Sequence, residues 1–226
     1  MNRVLFLLCI GLGGAAILIW LGLWQMQRLA WKEGVIAQID ARIAAAPQAL
    51  PDTFDPEADA YLPVQVEGRY AGNDLRVLVS QKDVGAGYRI ITPFDTGARR
   101  IMVDRGFIPT DAVMPQAPTS PVTVTGNLQW PRETDGFTPA PDLAGNIWFA
   151  RDVSAMAEVL GTEPVMLVAR ETSSAAAGIE PLPVDTARIP NDHLQYAVTW
   201  FSLAAIWLAM TALFLRRHRA AEPVRG

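Results

Sequence analysis

Residues 4–24, VLFLLCIGLGGAAILIWLGLW, contain no charged side chain. At a rise of about 1.5 Å per residue, a helix of this length extends roughly 31 Å, which matches the hydrocarbon core of a bilayer. A second uncharged stretch, residues 196–215 (YAVTWFSLAAIWLAMTALFL), is followed by a basic segment that contains Arg216, Arg217 and Arg219. The two stretches predict two transmembrane helices. Within the first, the segment Gly11-Leu12-Gly13-Gly14 predicts close packing against another helix.

Each stretch has an alternative interpretation, a cleaved signal peptide for the first and the core helix of a soluble protein for the second. A signal peptide has a shorter apolar region of about 7–15 residues and then small residues at the cleavage site. Bulky residues 17–21 (ILIWL) stand where cleavage would be expected. A soluble core helix does not need the arginines that follow the second stretch. We therefore interpret both stretches as retained membrane spans.

The basic residues at the two ends predict the orientation of the chain. Arg3 precedes the first span and the arginines follow the second, so both termini are predicted to be cytoplasmic. Residues 25–195 then lie on the opposite side of the membrane. They include 14 basic and 22 acidic residues, a formal charge of −8, within a chain of net charge −4. No basic surface of the kind that binds nucleic acid is predicted.

The part between the spans changes from helical to strand-like sequence. Leu29, Ile36, Ile39 and Ile43 recur on one helical face, and Pro47 follows, which predicts a helical extension over residues 25–46. Short β-branched runs then predict strands at residues 64–69, 76–81, 88–94, 99–107, 122–128 and 165–171. Residues 152–160 predict a helix, with Asp152 as its N-cap and Gly161 as its end.

These elements predict a membrane-anchored α+β protein whose β-rich domain is an antiparallel sheet or a small barrel. The predicted order is a cytoplasmic N-terminus (1–3), a first transmembrane helix (4–24), the helical extension (25–46), the β-rich extracytoplasmic domain (47–190), a second transmembrane helix with its outer cap (191–215) and a basic cytoplasmic tail (216–226). Asn191, directly after Pro190, is the predicted cap of the second helix.

The composition leaves few routes to catalysis. One cysteine excludes an intramolecular disulfide framework, a cysteine-rich zinc site, an iron–sulfur cluster and a c-type haem motif. The only histidines are His193 and His218, and His218 lies in the basic tail. Neither G-x-S-x-G nor a phosphate-binding loop occurs. The sequence therefore predicts a protein that is not an enzyme.

His193 is the one histidine predicted on the outer side of the membrane. In the first turn of the second helix, the positive end of the helix dipole favours a neutral imidazole, which is the form that ligates haem iron. Tyr196, Ala197 and Trp200 share its helical face. The candidate cofactor-binding residues are therefore His193, Tyr196 and Trp200, with His193 as an axial ligand. The alternative is an interfacial histidine that is hydrogen-bonded to a loop carbonyl.

A second dense motif is Arg105-Gly106-Phe107-Ile108-Pro109. We favour a structural interpretation, a strand end with a glycine in an unusual backbone conformation and a proline in the following turn. In the functional alternative, the guanidinium of Arg105 pairs bidentately with a carboxylate or a propionate.

Three segments together resemble a known family. They are residues 21–32 (LGLWQMQRLAWK), residues 87–109 with G-Y, T-P-F and D-R-G-F-I-P, and residues 191–201 (NDHLQYAVTWF). In this order, framed by two spans, they resemble the Surfeit-locus/Shy family of cytochrome c oxidase assembly proteins. Phe107 stands where the family commonly has tryptophan.

The resemblance implies a factor that binds haem a and aids its insertion into subunit I of cytochrome c oxidase, with His193 matching the proposed ligand. It also implies haem a synthase as an upstream partner and the lipid bilayer as the surroundings. A cofactor-free scaffold that stabilises an oxidase intermediate is the alternative. Because no mitochondrial transit sequence is evident before the first span, a bacterial plasma membrane is expected, with the main domain periplasmic.

Overall fold

The computed structural model describes residues 2–82, 84–174, 178–187 and 189–220. The elements follow in the order α1 (Asn2–Ile43), β1 (Pro63–Tyr70), β2 (Leu75–Gln81), β3 (Gly85–Asp95), β4 (Arg100–Pro109), β5 (Val122–Gln129), β6 (Ile147–Trp148), α2 (Val153–Leu160), β7 (Met166–Thr172) and α3 (His193–Ala220). The chain divides into two compact units. The membrane unit comprises Met1–Gln38 and Ala187–Gly226, and the sheet unit comprises Ile39–Thr186. The predicted fold class, two apolar helices flanking a β-rich domain, is confirmed.

Helices α1 and α3 are both long and apolar enough to cross a membrane. Only 11% of the most apolar window of α1 and 6% of that of α3 are buried within the protein. The core helix of a soluble protein would bury most of such a window, because exposed apolar area in water is unfavourable. The outward-facing leucines, isoleucines and tryptophans are instead suited to contact with lipid.

Small residues allow α1 and α3 to approach closely within the membrane unit. A Cβ atom added to Gly11 would lie 2.2 Å from Cγ2 of Thr211, and one added to Gly14 would lie 2.6 Å from Nε1 of Trp207. The Trp207 indole also donates a hydrogen bond to the carbonyl of Gly11 at 3.0 Å. Close packing at these two glycines is therefore confirmed. A Cβ on Gly13 would meet no atom within 4 Å, so this glycine faces away from α3.

Replacing Gly11 by leucine is expected to destabilise the packing of α1 on α3 by about 1–3 kcal/mol, because the new side chain overlaps Thr211. The measurement is thermal or SDS-induced unfolding of the full chain in lipid nanodiscs. Gly13→Leu is the matched control, since it adds the same side chain two positions away in open space. Equal destabilisation by the two variants would contradict the packing.

The sheet unit is built on one seven-stranded sheet with the order β1-β5-β7-β4-β3-β2-β6. An additional antiparallel pairing between β1 and β3 closes five of the strands into a small barrel, while β2 and β6 extend beyond it. The prediction of an antiparallel arrangement needs one correction. The pairs β4–β7 and β2–β6 are parallel, so the sheet is mixed. A parallel neighbour requires a long crossover, and here β5, β6 and α2 lie between β4 and β7 in the chain.

Helix α2 has the caps that its sequence predicts. The side chain of Asp152 accepts a hydrogen bond from the backbone N–H of Ala155 at 3.0 Å. Gly161 ends the helix with φ +62°, a left-handed conformation that glycine adopts without steric cost. The capped helix packs Val153, Met156, Ala157 and Leu160 into the core of the sheet unit.

A charged cluster at β4 consists of Arg89, Asp104, Glu133 and Arg151, and the Glu133 side chain lies at its edge with 39% of its surface exposed. The Asp104 side chain is fully buried, pairs with Arg89 and lies 3.7 Å from Nη1 of Arg151. Arg151 also pairs with Glu133. Burial raises the pKa of Glu133, but the hydrogen bonds and charge of Arg151 outweigh it and hold that pKa below its usual value. The Glu133–Arg151 ion pair is therefore retained at neutral pH, and the cluster ties β3 and β4 to the segments around Glu133 and Arg151.

Candidate functional site

The site begins at His193, the first residue of α3. The helix starts one residue later than predicted. Its first backbone hydrogen bond runs from the N–H of Tyr196 to the carbonyl of Asp192. Asp192 therefore occupies the N-cap position. The buried Oδ1 of Asn191 accepts no hydrogen bond from the part of the chain that the structure describes, so its assignment as the cap is wrong. Two adjacent residues of capping type made the sequence ambiguous by one position.

The imidazole of His193 is held by a side chain from the other membrane helix. Its Nδ1 lies 2.7 Å from Oε1 of Gln25, which is only 9% exposed on α1. An amide oxygen only accepts hydrogen bonds, so Nδ1 is the donor in this hydrogen bond. In the neutral tautomer with this donor, the lone pair is on Nε2, the atom left available to a metal. Metal-ligating histidines commonly donate their other N–H to an oxygen in this way.

Small residues bring Gln25 within reach of His193. One turn before Gln25, a Cβ on Gly22 would lie 2.6 Å from Cε1 of Phe201, so only glycine admits that ring. On α3, Ala197 is 1% exposed and lies one turn after His193. The contact between the two side chains therefore follows from helix packing and does not depend on a loop.

Residues 12–205 match the sequence pattern of the SURF1 family. This chain belongs to that family. It is 32% identical over 213 residues to Surfeit locus protein 1 of Xenopus tropicalis, covering 82% of this chain and 68% of the relative. The human Surfeit locus protein 1 is 31% identical over 211 residues, covering 82% and 69%. A SURF1-like protein of Monosiga brevicollis is 33% identical over 219 residues, covering 87% and 82%.

Membership of the SURF1 family supports a role in the assembly of cytochrome c oxidase. The family comprises assembly factors and is not known for a catalysed reaction. The matched region includes both residues of the His193–Gln25 pair, α1 from Leu12 onward and α3 as far as Ala205.

The other two predicted site residues are Tyr196 and Trp200. Tyr196 is 55% exposed and Trp200 is half-buried. Within the described ranges, no hydrogen bond or ring contact joins either aromatic side chain to the imidazole. Ala197, which shares the helical face of His193, is fully buried and unavailable to a ligand. The histidine is thus fixed, while the two aromatic side chains are available at the side of α3.

The sequence did not single out Gln25. It is the first polar residue after the uncharged span and stands inside the LGLWQ segment that carries the family resemblance. A polar side chain at the end of a span is usually interfacial and solvated, so its burial could not be predicted without the packing of α1 on α3.

The site offers a single strong metal ligand. No group of three or more His, Cys, Asp or Glu side chains with metal-binding geometry occurs in residues 2–82, 84–174, 178–187 and 189–220. An isolated metal ion usually needs three or four protein ligands, whereas haem brings four nitrogen ligands of its own and needs only an axial one. The observed donor set, one oriented imidazole with Nε2 available, fits haem.

Proposed function

We propose that this SURF1-family protein binds haem a through Nε2 of His193 and aids its insertion into subunit I of cytochrome c oxidase. The observation that carries the proposal is the 2.7 Å hydrogen bond between His193 and the buried Gln25. This hydrogen bond sets the orientation of the ring and leaves Nε2 for iron. Metal-ligating histidines in proteins are commonly oriented in the same way.

The residues of the site have distinct tasks in this proposal. Gln25 holds the imidazole, His193 contributes its lone pair, and Tyr196 and Trp200 provide aromatic surface beside the ring. Bound haem a supplies the iron and an apolar tail. Because that tail is more stable in an apolar environment than in water, a site on a membrane helix suits it. A single axial ligand also permits release to the oxidase, since only one bond to the protein must break.

The proposal includes partners and a location. Haem a synthase would deliver the cofactor, and subunit I would receive it. The chain would lie in a bacterial plasma membrane with both termini in the cytoplasm and the sheet unit in the periplasm. The arginines at the two ends and the acidic segment between the spans support this orientation.

A cofactor-free scaffold is the second candidate function. Two apolar side chains of the sheet unit favour it, because they are almost fully exposed to solvent: Phe137 is 96% exposed and Val113 is 91% exposed. Exposed aromatic side chains are common anchors of protein interfaces. In this case the sheet unit would hold an oxidase intermediate, and His193 would serve only to pair α1 with α3.

The wild-type protein distinguishes the two functions. The protein is purified in mild detergent from cells that make haem a, and it is expected to show the absorption spectrum of haem a. The pyridine haemochrome assay is expected to give up to one haem a per chain. The same protein from cells that lack haem a synthase is the control for adventitious colour. A colourless preparation that still copurifies with subunit I would support the scaffold and reject haem binding.

A further inference from the structure

Helix α1 carries an exposed row of three tryptophans and one arginine where its uncharged span ends. Trp20, Trp24, Arg28 and Trp31 follow one another at spacings of four, four and three residues, which places them in one sector of the helix surface. All four side chains are exposed, with 64% of Trp20 and 54% of Trp31 accessible. We call this row the tryptophan stripe.

The tryptophan stripe lies on a different face of α1 from the one that packs on α3. The packed face contains Gly11, Gly14 and the buried Gln25. Gly13 stands two helical turns before Trp20, in the same sector as the stripe, and has open space at its Cβ position. The stripe is therefore accessible from outside the pair of helices.

Arg28 is the charged group of the stripe, and its hydrogen-bond donors are available. The guanidinium carbon lies over the Trp31 ring, 4.4 Å from its centre, so the indole supports one face of the cation. Within residues 2–82, 84–174, 178–187 and 189–220, Arg28 forms no hydrogen bond and no ion pair. The N–H groups at the edge of the guanidinium can therefore donate to an acceptor from outside the chain.

The charges of this part of α1 are separated between two faces. Lys32 follows Arg28 by four residues, and two like charges at this spacing on a helix repel each other. Glu33 is the only acidic residue in residues 25–38, and at about 100° per residue it lies roughly half a turn around the helix from the middle of the stripe. An anion bound beside Arg28 and Lys32 would relieve their repulsion.

The position of Arg28 along α1 matches the headgroup layer of a membrane. The uncharged span ends at Trp24, and Arg28 follows by four residues, which is about 6 Å along the helix axis. Lipid headgroups add about 5–8 Å to each side of the hydrocarbon core. When the span fills that core, Arg28 is level with the lipid phosphates, and the exposed Ile17 and Trp20 lie beside the acyl chains.

We propose that the tryptophan stripe binds an anionic phospholipid, such as phosphatidylglycerol, in the leaflet at this end of the span. The edge of the Arg28 guanidinium donates to the phosphate oxygens, and Lys32 adds a second positive charge. Trp20 and Trp24 pack along an acyl chain. A zwitterionic lipid fits less well, because its own ammonium group would lie beside the two cations.

The test follows Trp31 in the full chain, purified from cells that lack haem a synthase and reconstituted in lipid nanodiscs. The protein is labelled with fluorotryptophan, and the fluorine NMR resonance of Trp31 is assigned by its absence in Trp31→Phe. Phosphatidylglycerol then replaces phosphatidylcholine stepwise at constant ionic strength. The Trp31 resonance is expected to reach its bound position at a small mole fraction of phosphatidylglycerol. An unchanged resonance would overturn the proposal, and so would a shift that grows in proportion to the lipid charge without saturation.

Two variants separate a lipid site from a general attraction between charges. Arg28→Gln removes the phosphate donor at an exposed position and is expected to raise the half-saturating fraction of phosphatidylglycerol about fivefold or more. Glu33→Gln is the matched control, because it changes the net charge by the same amount on the opposite face, and it should have little effect. If Glu33→Gln tightened binding as much as Arg28→Gln weakened it, the site would be rejected.

A membrane helix of a partner protein is the other possible occupant of the tryptophan stripe. In that case Arg28→Gln would lower the amount of a copurified membrane protein, while the Trp31 resonance would not respond to lipid composition. This outcome would also overturn the lipid site. Because the protein carries no haem a in these measurements, their result is independent of the proposed haem binding.

Discussion

Replacing Asp104 by asparagine is expected to lower the free energy of unfolding of the sheet unit by about 3–5 kcal/mol. The side chain is fully buried and compensates the charge of Arg89, whose own side chain is only 13% exposed. The neutral amide leaves the two guanidiniums of Arg89 and Arg151 with only the Glu133 carboxylate to compensate them. Arg151 is less affected, because it retains its ion pair with Glu133. Chemical denaturation of the full chain in nanodiscs, followed by near-ultraviolet circular dichroism, measures the loss.

An exposed ion pair is the control for this prediction. Glu57 and Arg132 lie 3.8 Å apart with side chains that are 86% and 88% exposed. Glu57→Gln should therefore change the free energy of unfolding by less than about 1 kcal/mol. The double variant Arg89→Met, Asp104→Leu should recover part of the loss, since it removes both buried charges. If Asp104→Asn and Glu57→Gln lowered the free energy of unfolding equally, burial of the charge would not be the cause of the destabilisation.

Local sequence patterns predicted the elements of this fold well. The uncharged spans, the strand-like runs and the Asp152 and Gly161 caps each depend on residues near one another in the chain. Two-residue strand β6 escaped prediction because it has no alternation to detect. The parallel pairing of β4 with β7 also escaped, because strand order depends on contacts between residues far apart in the chain.

The site was predictable only in part for the same reason. His193 could be found by elimination, as one of two histidines, but its partner lies 168 positions earlier in the chain. Gln25 became visible only once the glycines of α1 brought the two helices into contact. The D-R-G-F motif shows the same limit. Its pattern indicated a strand end, while the ion pairs of Asp104 with Arg89 and Arg151 depend on contacts between separate segments of the chain.

His193→Ala is expected to abolish the haem content of the purified protein under the proposed function. The variant removes the only bond from the chain to the iron, so retention should fall by more than about 100-fold, beyond the range for loss of an outer partner. The pigment spectrum and the pyridine haemochrome of full-length protein from haem a-producing cells measure it. An unchanged haem load in His193→Ala would reject this histidine as the ligand and leave the scaffold as the better account.

Gln25 provides a finer test, because it acts on the iron only through the imidazole. Gln25→Leu keeps His193 but removes the acceptor of its Nδ1 proton, so haem retention should fall by about 10–100-fold. Gln25→Glu retains an acceptor oxygen and should restore the haem load, with a shifted spectrum because an anionic acceptor makes the imidazole more basic. Gln27→Leu, at an exposed position two residues later, controls for the added apolar side chain.

If Gln25 only joins α1 to α3, Gln25→Leu will lower helix-packing stability and leave haem affinity unchanged. Parallel measurement of unfolding and haem content therefore separates a positioning residue from a structural one.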